Sequence, residues 1–343
     1  RSAVFAPFKN LGLIIMDEED ERTYKSEMSP RYHARDVAIK RCGIHNSVLV
    51  MASATPSVES FYFAEENRFS LIKMKDRYTG SVLPDVKIVD MGDEMSSGNI
   101  SNFSDTLCEE INYNLEHGEQ TILLLNRRGY HTYISCPVCR EPLSCPNCNI
   151  PMTYHKTNGT VICHYCGYQT PFEEKCSSCG HDHMKKMGLG TQKVEDELSE
   201  LFPNARILRM DTDTTYSRYS YENKFREFSE GKYDIMVGTQ MIAKGLDFPN
   251  VTLVGVISVD KALFSGDFRG YERTFSLITQ VVGRSGRGEK HGRAILQTFV
   301  PDHYILNLAA EQDYEGFYKQ EISVRKALIY PPFCDICVVG FSS

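Results

Sequence analysis

A chain of 343 residues, 41% hydrophobic and 24% charged, has the composition of a globular protein with room for two ordinary domains and a small insertion. No stretch approaches the roughly 20 apolar residues of a membrane-spanning helix, so a helical membrane protein is excluded. A net charge of −7 excludes a globally basic nucleic-acid coat; residues 121–190 alone carry a small basic surplus, seven Lys and Arg against four Asp and Glu, which a solvated face would also carry.

The run Ser2-Ala-Val-Phe-Ala-Pro7 reads as entering a strand almost at once, and Phe333–Gly340 reads as a strand with nothing after it. The expectation is a fragment cut at both ends. Leu11–Met16 is an apolar run ending in acids, as in a strand buried on both faces of a parallel sheet. Ser47–Met51 is a second such run, and Pro56 opens a helix to about Glu66. Residues 73–102 are polar, punctuated by Gly80, Pro84, Gly92 and Gly98, and read as an interdomain connection.

A second α/β pattern follows. Strands are expected at Thr121–Leu125, Arg206–Met210, Tyr233–Val237, Val251–Val259 and Ala294–Phe299, and helices at Thr191–Phe202, Tyr221–Glu230 and Tyr271–Val282. Strands alternating with helices argue for an open parallel sheet. The predicted divisions are 1–78, a 79–102 linker, 103–131, a cysteine-rich insertion at 132–184, 185–316, and the start of a further domain at 317–343.

Four Cys-x-x-Cys pairs lie in that insertion: Cys136/Cys139, Cys145/Cys148, Cys163/Cys166 and Cys176/Cys179. Two such knuckles close one tetrahedral Zn²⁺, so eight thiols imply two zincs. Fourteen residues separate the inner pairs, close to zinc-ribbon spacing, and only five separate Cys139 from Cys145. A nested pairing is therefore preferred: Cys136/Cys139/Cys176/Cys179 and Cys145/Cys148/Cys163/Cys166. A disulfide cluster fits poorly, because no export segment is visible and disulfide-dense chains are usually small. A redox pair would come once, not four times. Cys334 and Cys337 have no second pair and read as packing on a strand rather than metal ligands; Cys42 and Cys108 have no visible partner. His33, His155 and His164 are unnecessary as ligands. The expected compartment is the cytoplasm.

Asp17-Glu-Glu-Asp20 sits where the first strand ends, the usual ligand position in open α/β sheets. One carboxylate there can hold Mg²⁺ through water and its neighbour can orient an attacking water, although an acidic run after a strand is commonly a solvated loop. Ser53-Ala-Thr55 ends the next strand. Gly238–Asp247 and Gln280-Val-Val-Gly-Arg-Ser-Gly-Arg287 follow. Arg284 and Arg287 share a face if the helix continues, and two guanidiniums directed at a γ-phosphate form an arginine finger. A surface turn is the plainer reading of Arg-Ser-Gly-Arg taken alone.

In this order, Asp17–Asp20, Ser53–Thr55, Gly238–Asp247 and Gln280–Arg287 resemble motifs II, III, V and VI of the superfamily 2 helicases. Tyr32–Asp36, Ala52–Ser57, Leu125–Tyr130 and Gly188–Gln192 are similar to stretches of one family among them, the bacterial replication-restart helicases known as primosomal protein N′ or PriA. The resemblance covers nearly the whole chain. It implies two RecA-like lobes, the first incomplete, with the two-zinc insertion in the second. It implies a 3′→5′ DNA translocase that uses ATP with Mg²⁺ and rebuilds the primosome at stalled forks. Branched and single-stranded DNA, primosome proteins and single-stranded DNA-binding protein would be its partners.

The resemblance also implies roles. Asp17 and Glu18 would be the Mg²⁺ and water acids. Gln280, Arg284 and Arg287 would face the phosphates, and Gly245 and Asp247 would link nucleotide to lobe closure. Arg1 and Ser2 would touch the DNA backbone, and Tyr24 to His33 would sense single strands by stacking on Tyr24 or Tyr32. Half-buried packing explains the tyrosines equally. Arg127, Arg128, Lys185 and Lys186 are candidate phosphate contacts that a solvated surface explains as well. Two departures stand out: the acid motif ends in Asp20 where the family has His, and no G-x-x-x-x-G-K-[ST] loop occurs. These residues alone should not hydrolyse ATP. The acidic charge and the missing loop favour a rival from another class, a non-catalytic zinc protein that binds nucleic acid or partners. A translocase that moves on duplex without unwinding is a third reading, which the zinc insertion disfavours.

Overall fold

In the computed structural model, residues 1–337 are described except for 75–82, 100, 126–131, 140, 148–151, 156–158, 164–166, 183, 188–190, 211–217, 240–241, 243–247, 265–266 and 287–289. The chain divides into two units, 1–74 with 314–343, and 75–313.

The first apolar runs form parallel strands β1 (Leu13–Asp17) and β2 (Val48–Ala52), with Leu13 opposite Val48 and Asp17 opposite Ala52. Between them lies helix α1 (Ala34–His45), capped by His33 and closed by Asn46 in the left-handed region at φ 50°. Its buried face is Ala34, Ala38 and Cys42, small residues at i, i+4 and i+8 that present almost no apolar periodicity. Helix α2 (Val58–Glu65) starts two residues later than expected, because Ser57 is its N-cap. Ser2–Phe5 is a 3-10 turn rather than a strand.

The second unit contains β3 (Asp85–Asp90), α3 (Met91–Ser96), α4 (Asp105–Glu116) and β4 (Gln120–Leu125). The stretch read as a linker therefore contains a sheet strand. Asp85-Val-Lys-Ile-Val-Asp90 alternates polar and apolar residues because it is an edge, paired only with one neighbour. After β4 comes the insertion, with short strands β5 (Thr132–Ser135), β6 (Thr153–His155), β7 (Thr160–Ile162), β8 (Gln169–Pro171) and β9 (Lys185–Met187). They make an antiparallel sheet in the order β8-β7-β6-β5-β9.

The α/β pattern then resumes with α5 (Thr191–Leu201), β10 (Ile207–Met210), α6 (Arg218–Ser229), β11 (Ile235–Gly238) and β12 (Val251–Ile257). Next come α7 (Asp260–Leu263), α8 (Gly270–Val282), β13 (Arg293–Thr298) and α9 (Tyr304–Ala310). Six strands pair in parallel in the order β10-β11-β4-β12-β13-β3. Its two central strands, β4 and β12, are buried along their whole length. Each such Leu or Val contributes about 1.5–3 kcal/mol on leaving water.

The last helix, α10 (Tyr314–Leu328), belongs to the first unit and packs on α2: Tyr318 meets Phe61 edge-on at 4.6 Å and donates to Glu65 at 2.7 Å. Residues 333–337 form no strand. The chain turns there, and the Cys334 thiol donates to the Ile329 carbonyl at 2.9 Å. Among the described residues no helix is long and apolar enough to cross a membrane.

Candidate nucleotide-site acids and metal centre

Asp17 is the last residue of β1, and the chain turns sharply after it. Glu18 stands at φ 49°, a left-handed conformation that costs a non-glycine residue about 1–3 kcal/mol and persists only where neighbours enforce it. Hydrogen bonds do so. The Tyr24 hydroxyl donates to the Asp17 carbonyl at 2.7 Å. The Glu19 N–H donates to the Ala52 carbonyl at 3.1 Å. The Ser53 hydroxyl donates to Asp20 at 2.7 Å. The Glu19 carboxylate, turned inward, accepts from the Ser57 N–H at 2.6 Å and the Ser60 hydroxyl at 3.0 Å.

Glu19 is 3% exposed, and Arg35 of α1 stands 4.0 Å from its carboxylate while donating to Ser60 at 3.1 Å. Burial pushes the Glu19 carboxyl above the usual range, against the opposing pull of the Ser57 N–H and Arg35. Asp17 by contrast is exposed. The four acids thus divide: two are presented at the strand end, and two anchor the loop to β2 and α2. Sequence reasoning did not find the anchors. Their signal is Ser57-x-x-Ser60 at a helix start, hydroxyls spaced to meet a carboxylate. Asp20, where the resemblance expects His, meets the same Ser53 hydroxyl as an acceptor.

The proposed DNA contacts of this unit lie together. Arg1 donates to the Lys25 carbonyl at 3.1 Å, and Ser2 is exposed. Tyr24 and Tyr32 are half-buried against Met16, Ala34 and Ala38, and Tyr32 meets Phe5 edge-on at 4.9 Å. Burial, then Asp17, raises the Tyr24 hydroxyl, which keeps it a donor.

In the second unit Gln280 lies in the last turn of α8. The helix stops at Val282, so Arg284 does not continue on its face. Gly283 caps the helix. Gly286 stands at φ 67°, and a Cβ there would lie 2.5 Å from the Gly292 nitrogen, so the chain must turn at a glycine. Arg284 occupies this turn. Arg287, Gly245 and Asp247 lie outside the described residues, as do Arg127 and Arg128; of the lysines, Lys185 and Lys186 lie on β9.

Beyond β12, Ser258 stands at φ 62° and Asp260 is fully buried. One Asp260 oxygen accepts from the Thr298 hydroxyl at 2.5 Å and the Phe299 N–H at 3.1 Å; the other is buried without a hydrogen-bond donor. Burial, with a smaller push from Asp90, raises this carboxyl to about 6.

The insertion brings four cysteines together. The sulfurs of Cys136, Cys139, Cys176 and Cys179 all lie within 4.8 Å of one another, with Cys136–Cys179 and Cys139–Cys176 at 3.5 Å. Zn–S bonds of ~2.3 Å give a tetrahedron with edges of about 3.8 Å, so the donor set fits zinc. Three knuckles share one geometry: the N–H of Cys136, Cys163 and Cys176 donates to the carbonyl five residues on, at 3.0, 2.8 and 2.7 Å. Gly167 and Gly180, each four residues after a first cysteine, take φ 76° and 75° to make that turn. Against its burial, Cys176 is held low by the backbone N–H groups of Cys179 and Ser178, which would also stabilise a thiolate ligand; burial pushes Cys139 up. Of the inner set, Cys145 and Cys163 are buried in the same small core, whereas Cys148 and Cys166 lie outside the described residues.

The second unit is thus a parallel α/β sheet with a glycine-bounded Arg284 turn and a cysteine-rich module set between β4 and α5. Residues 185–289 match the helicase conserved C-terminal domain, and 145–171 match the PriA DNA helicase Cys-rich region domain. The chain is 48% identical over 342 residues to the replication restart protein PriA of Bacillus subtilis, covering 100% of this chain and 42% of that protein. It is 44% identical to the PriA of Chlamydia trachomatis (97% and 45%) and 43% identical to that of Treponema pallidum (100% and 51%). The chain is similar to these PriA proteins along nearly its whole length, and it spans about half the length of each. Its cysteine region is of the zinc-binding kind.

Proposed function

We propose that this chain is part of an ATP-dependent 3′→5′ DNA helicase that acts at stalled or repaired replication forks and promotes primosome assembly. The observation that carries the reading is the acid loop: a strained Glu18 beside Asp17 at a strand end, held by hydrogen bonds from Tyr24, Ser53, Ser57 and Ser60 and to Ala52. A loop serving only as solvated surface has no reason to be held so. The names of the relatives, all replication restart proteins, support the wider setting.

In this reading Asp17 would hold Mg²⁺, a cation that one or two carboxylates suit. Glu18 orients the attacking water and takes up its proton at the carboxylate. Gln280, Arg284 and Arg287 meet the phosphates, where a bound Mg²⁺ would neutralise developing charge. Gly245 and Asp247 couple nucleotide to closure, and Arg1, Ser2, Tyr24, Tyr32, Arg127 and Arg128 contact DNA. Two zincs, on Cys136/Cys139/Cys176/Cys179 and Cys145/Cys148/Cys163/Cys166, stiffen the module that faces the fork or its partners, among them single-stranded DNA-binding protein. The work is done in the cytoplasm.

The test is strand separation by the full-length protein with ATP, on forks with a 3′ or a 5′ single-stranded arm. Unwinding that requires the 3′ arm supports the reading. Binding without unwinding on either fork moves the conclusion to a non-catalytic zinc protein.

A further inference from the structure

Helix α10 carries a buried stripe of Phe317, Tyr318, Glu321 and Arg325, with half-buried Tyr314 one turn before it, spaced as the packed face of a helix should be, yet two of the buried members are charged. Arg325 is 1% exposed. Its Nε meets Glu321 at 2.8 Å, and its Nη1 meets Glu59 of α2 at 3.5 Å and the Pro331 carbonyl at 3.3 Å. Glu321 and Glu59 are themselves 2% and 6% exposed. Burying such ions costs several kcal/mol each, and apolar residues of the same volume usually hold two helices together as well or better. What the charges add is direction: a planar fork fixes its partners in one geometry.

That geometry is imposed on the first turn of α2. Glu59 sits there between Ser57 and Ser60, the two residues that grip the Glu19 carboxylate. The Tyr314 hydroxyl donates to the Pro56 carbonyl at 2.7 Å, one residue before the N-cap. The turn is thus held from both directions, by the acid loop through its hydroxyls and by α10 through Glu59 and Pro56. Glu18, at φ 49°, directly precedes the anchored Glu19.

We propose that Arg325 is a positioning residue: through Glu59 it fixes the first turn of α2, and through that turn it sets the Asp17–Asp20 loop. A helix reached by the chain only after the whole second unit would then control the geometry of acids in the first. The functional half of this inference rests on the reading of Asp17 and Glu18 as nucleotide-site acids; the structural half does not.

The experiment uses the full-length protein with two variants. In one, Glu59→Leu, Glu321→Leu and Arg325→Met together replace the cluster by apolar groups and leave no buried charge unpaired. In the other, Arg325→Lys keeps the charge and loses the fork. Amide exchange is followed at residues 17–24, with 120–125 as internal reference, beside the kcat and KM of ATP hydrolysis. In both variants the expected result is exchange about tenfold faster at 17–24, an unchanged reference, and kcat down about tenfold with KM within about twofold. Faster exchange confined to 314–328, or wild-type exchange throughout, overturns the proposal and leaves Arg325 as a helix tether. If the triple variant does not fold, Arg325→Lys decides on the same criteria. If the wild-type protein turns over no ATP, the proposed function fails, while the exchange data still decide whether Arg325 sets the loop.

Discussion

In the six-stranded sheet, β4 and β12 are buried end to end, and the surrounding core is Leu, Ile, Val and Phe. In the cysteine module the strands are three or four residues long, and of the eight buried residues at its centre four are cysteines. The sheet can hold itself together by apolar burial. The module cannot: four short sulfur-rich turns bury too little to offset the entropy of ordering some fifty residues. One region owes its shape to hydrophobic area and the other to ligand bonds, so they should fail under different treatments.

The largest expected effect is metal removal. Structural zinc binding is worth about 10–16 kcal/mol, and in small modules that is folding free energy. A chelator, or Cys136→Ser with Cys176→Ser, should raise amide exchange across 132–187 to that of unfolded chain and leave 120–125 and 251–257 protected. Loss of protection in both regions together would erase the distinction. Two zincs per chain by metal analysis are expected before chelation, and one would remove the inner site.

The converse change is Leu123→Ala. Leu123 is fully buried in the centre of the sheet, and its truncation should cost about 2–5 kcal/mol and lower the main thermal transition. Zinc content should not change. Zinc loss in this variant would mean that the module depends on the sheet.

A smaller effect sharpens the picture of the sheet's carboxyl edge. The Asp260 carboxyl is raised from 3.8 in an unfolded chain to about 6 in the fold, where it is fully buried. The folded state therefore binds the proton more tightly, and stability falls as pH rises from about 4 to about 6, by roughly 3 kcal/mol in all. Asp260→Asn still accepts from Thr298 and Phe299 and never ionises. Chemical denaturation against pH should show the variant gaining on wild type across that window and staying ahead at pH 7. Parallel curves would mean that the carboxyl ionises in the fold without cost.

The same contrast explains what was legible in the sequence. Strands such as Val251–Ile257 announce themselves as unbroken apolar runs, and knuckles as repeated Cys-x-x-Cys, since both signals are local. The misses are places where tertiary context decides. Strand β3 alternates like a surface segment because it is an edge. Helix α1 packs through alanines and a cysteine, which carry little periodicity. The Gln280–Arg287 motif looks like continuing helix until Gly286 is seen against Gly292. At the acid loop the residue types pointed to Asp17 and Glu18, but no local pattern says that Glu19 turns inward. That follows from Ser57, Ser60 and Arg35, which only the fold brings near.

The proposed role of the acid loop is nucleotide hydrolysis coupled to DNA. The most direct measurement is ATP hydrolysis by the full-length protein with and without forked DNA, beside Glu18→Gln. Strong stimulation by the fork is expected, lost in the variant by about 100-fold or more, with zinc content and fold unchanged. No stimulation, or equal turnover by Glu18→Gln, would contradict it and leave the cysteine module as the functional centre.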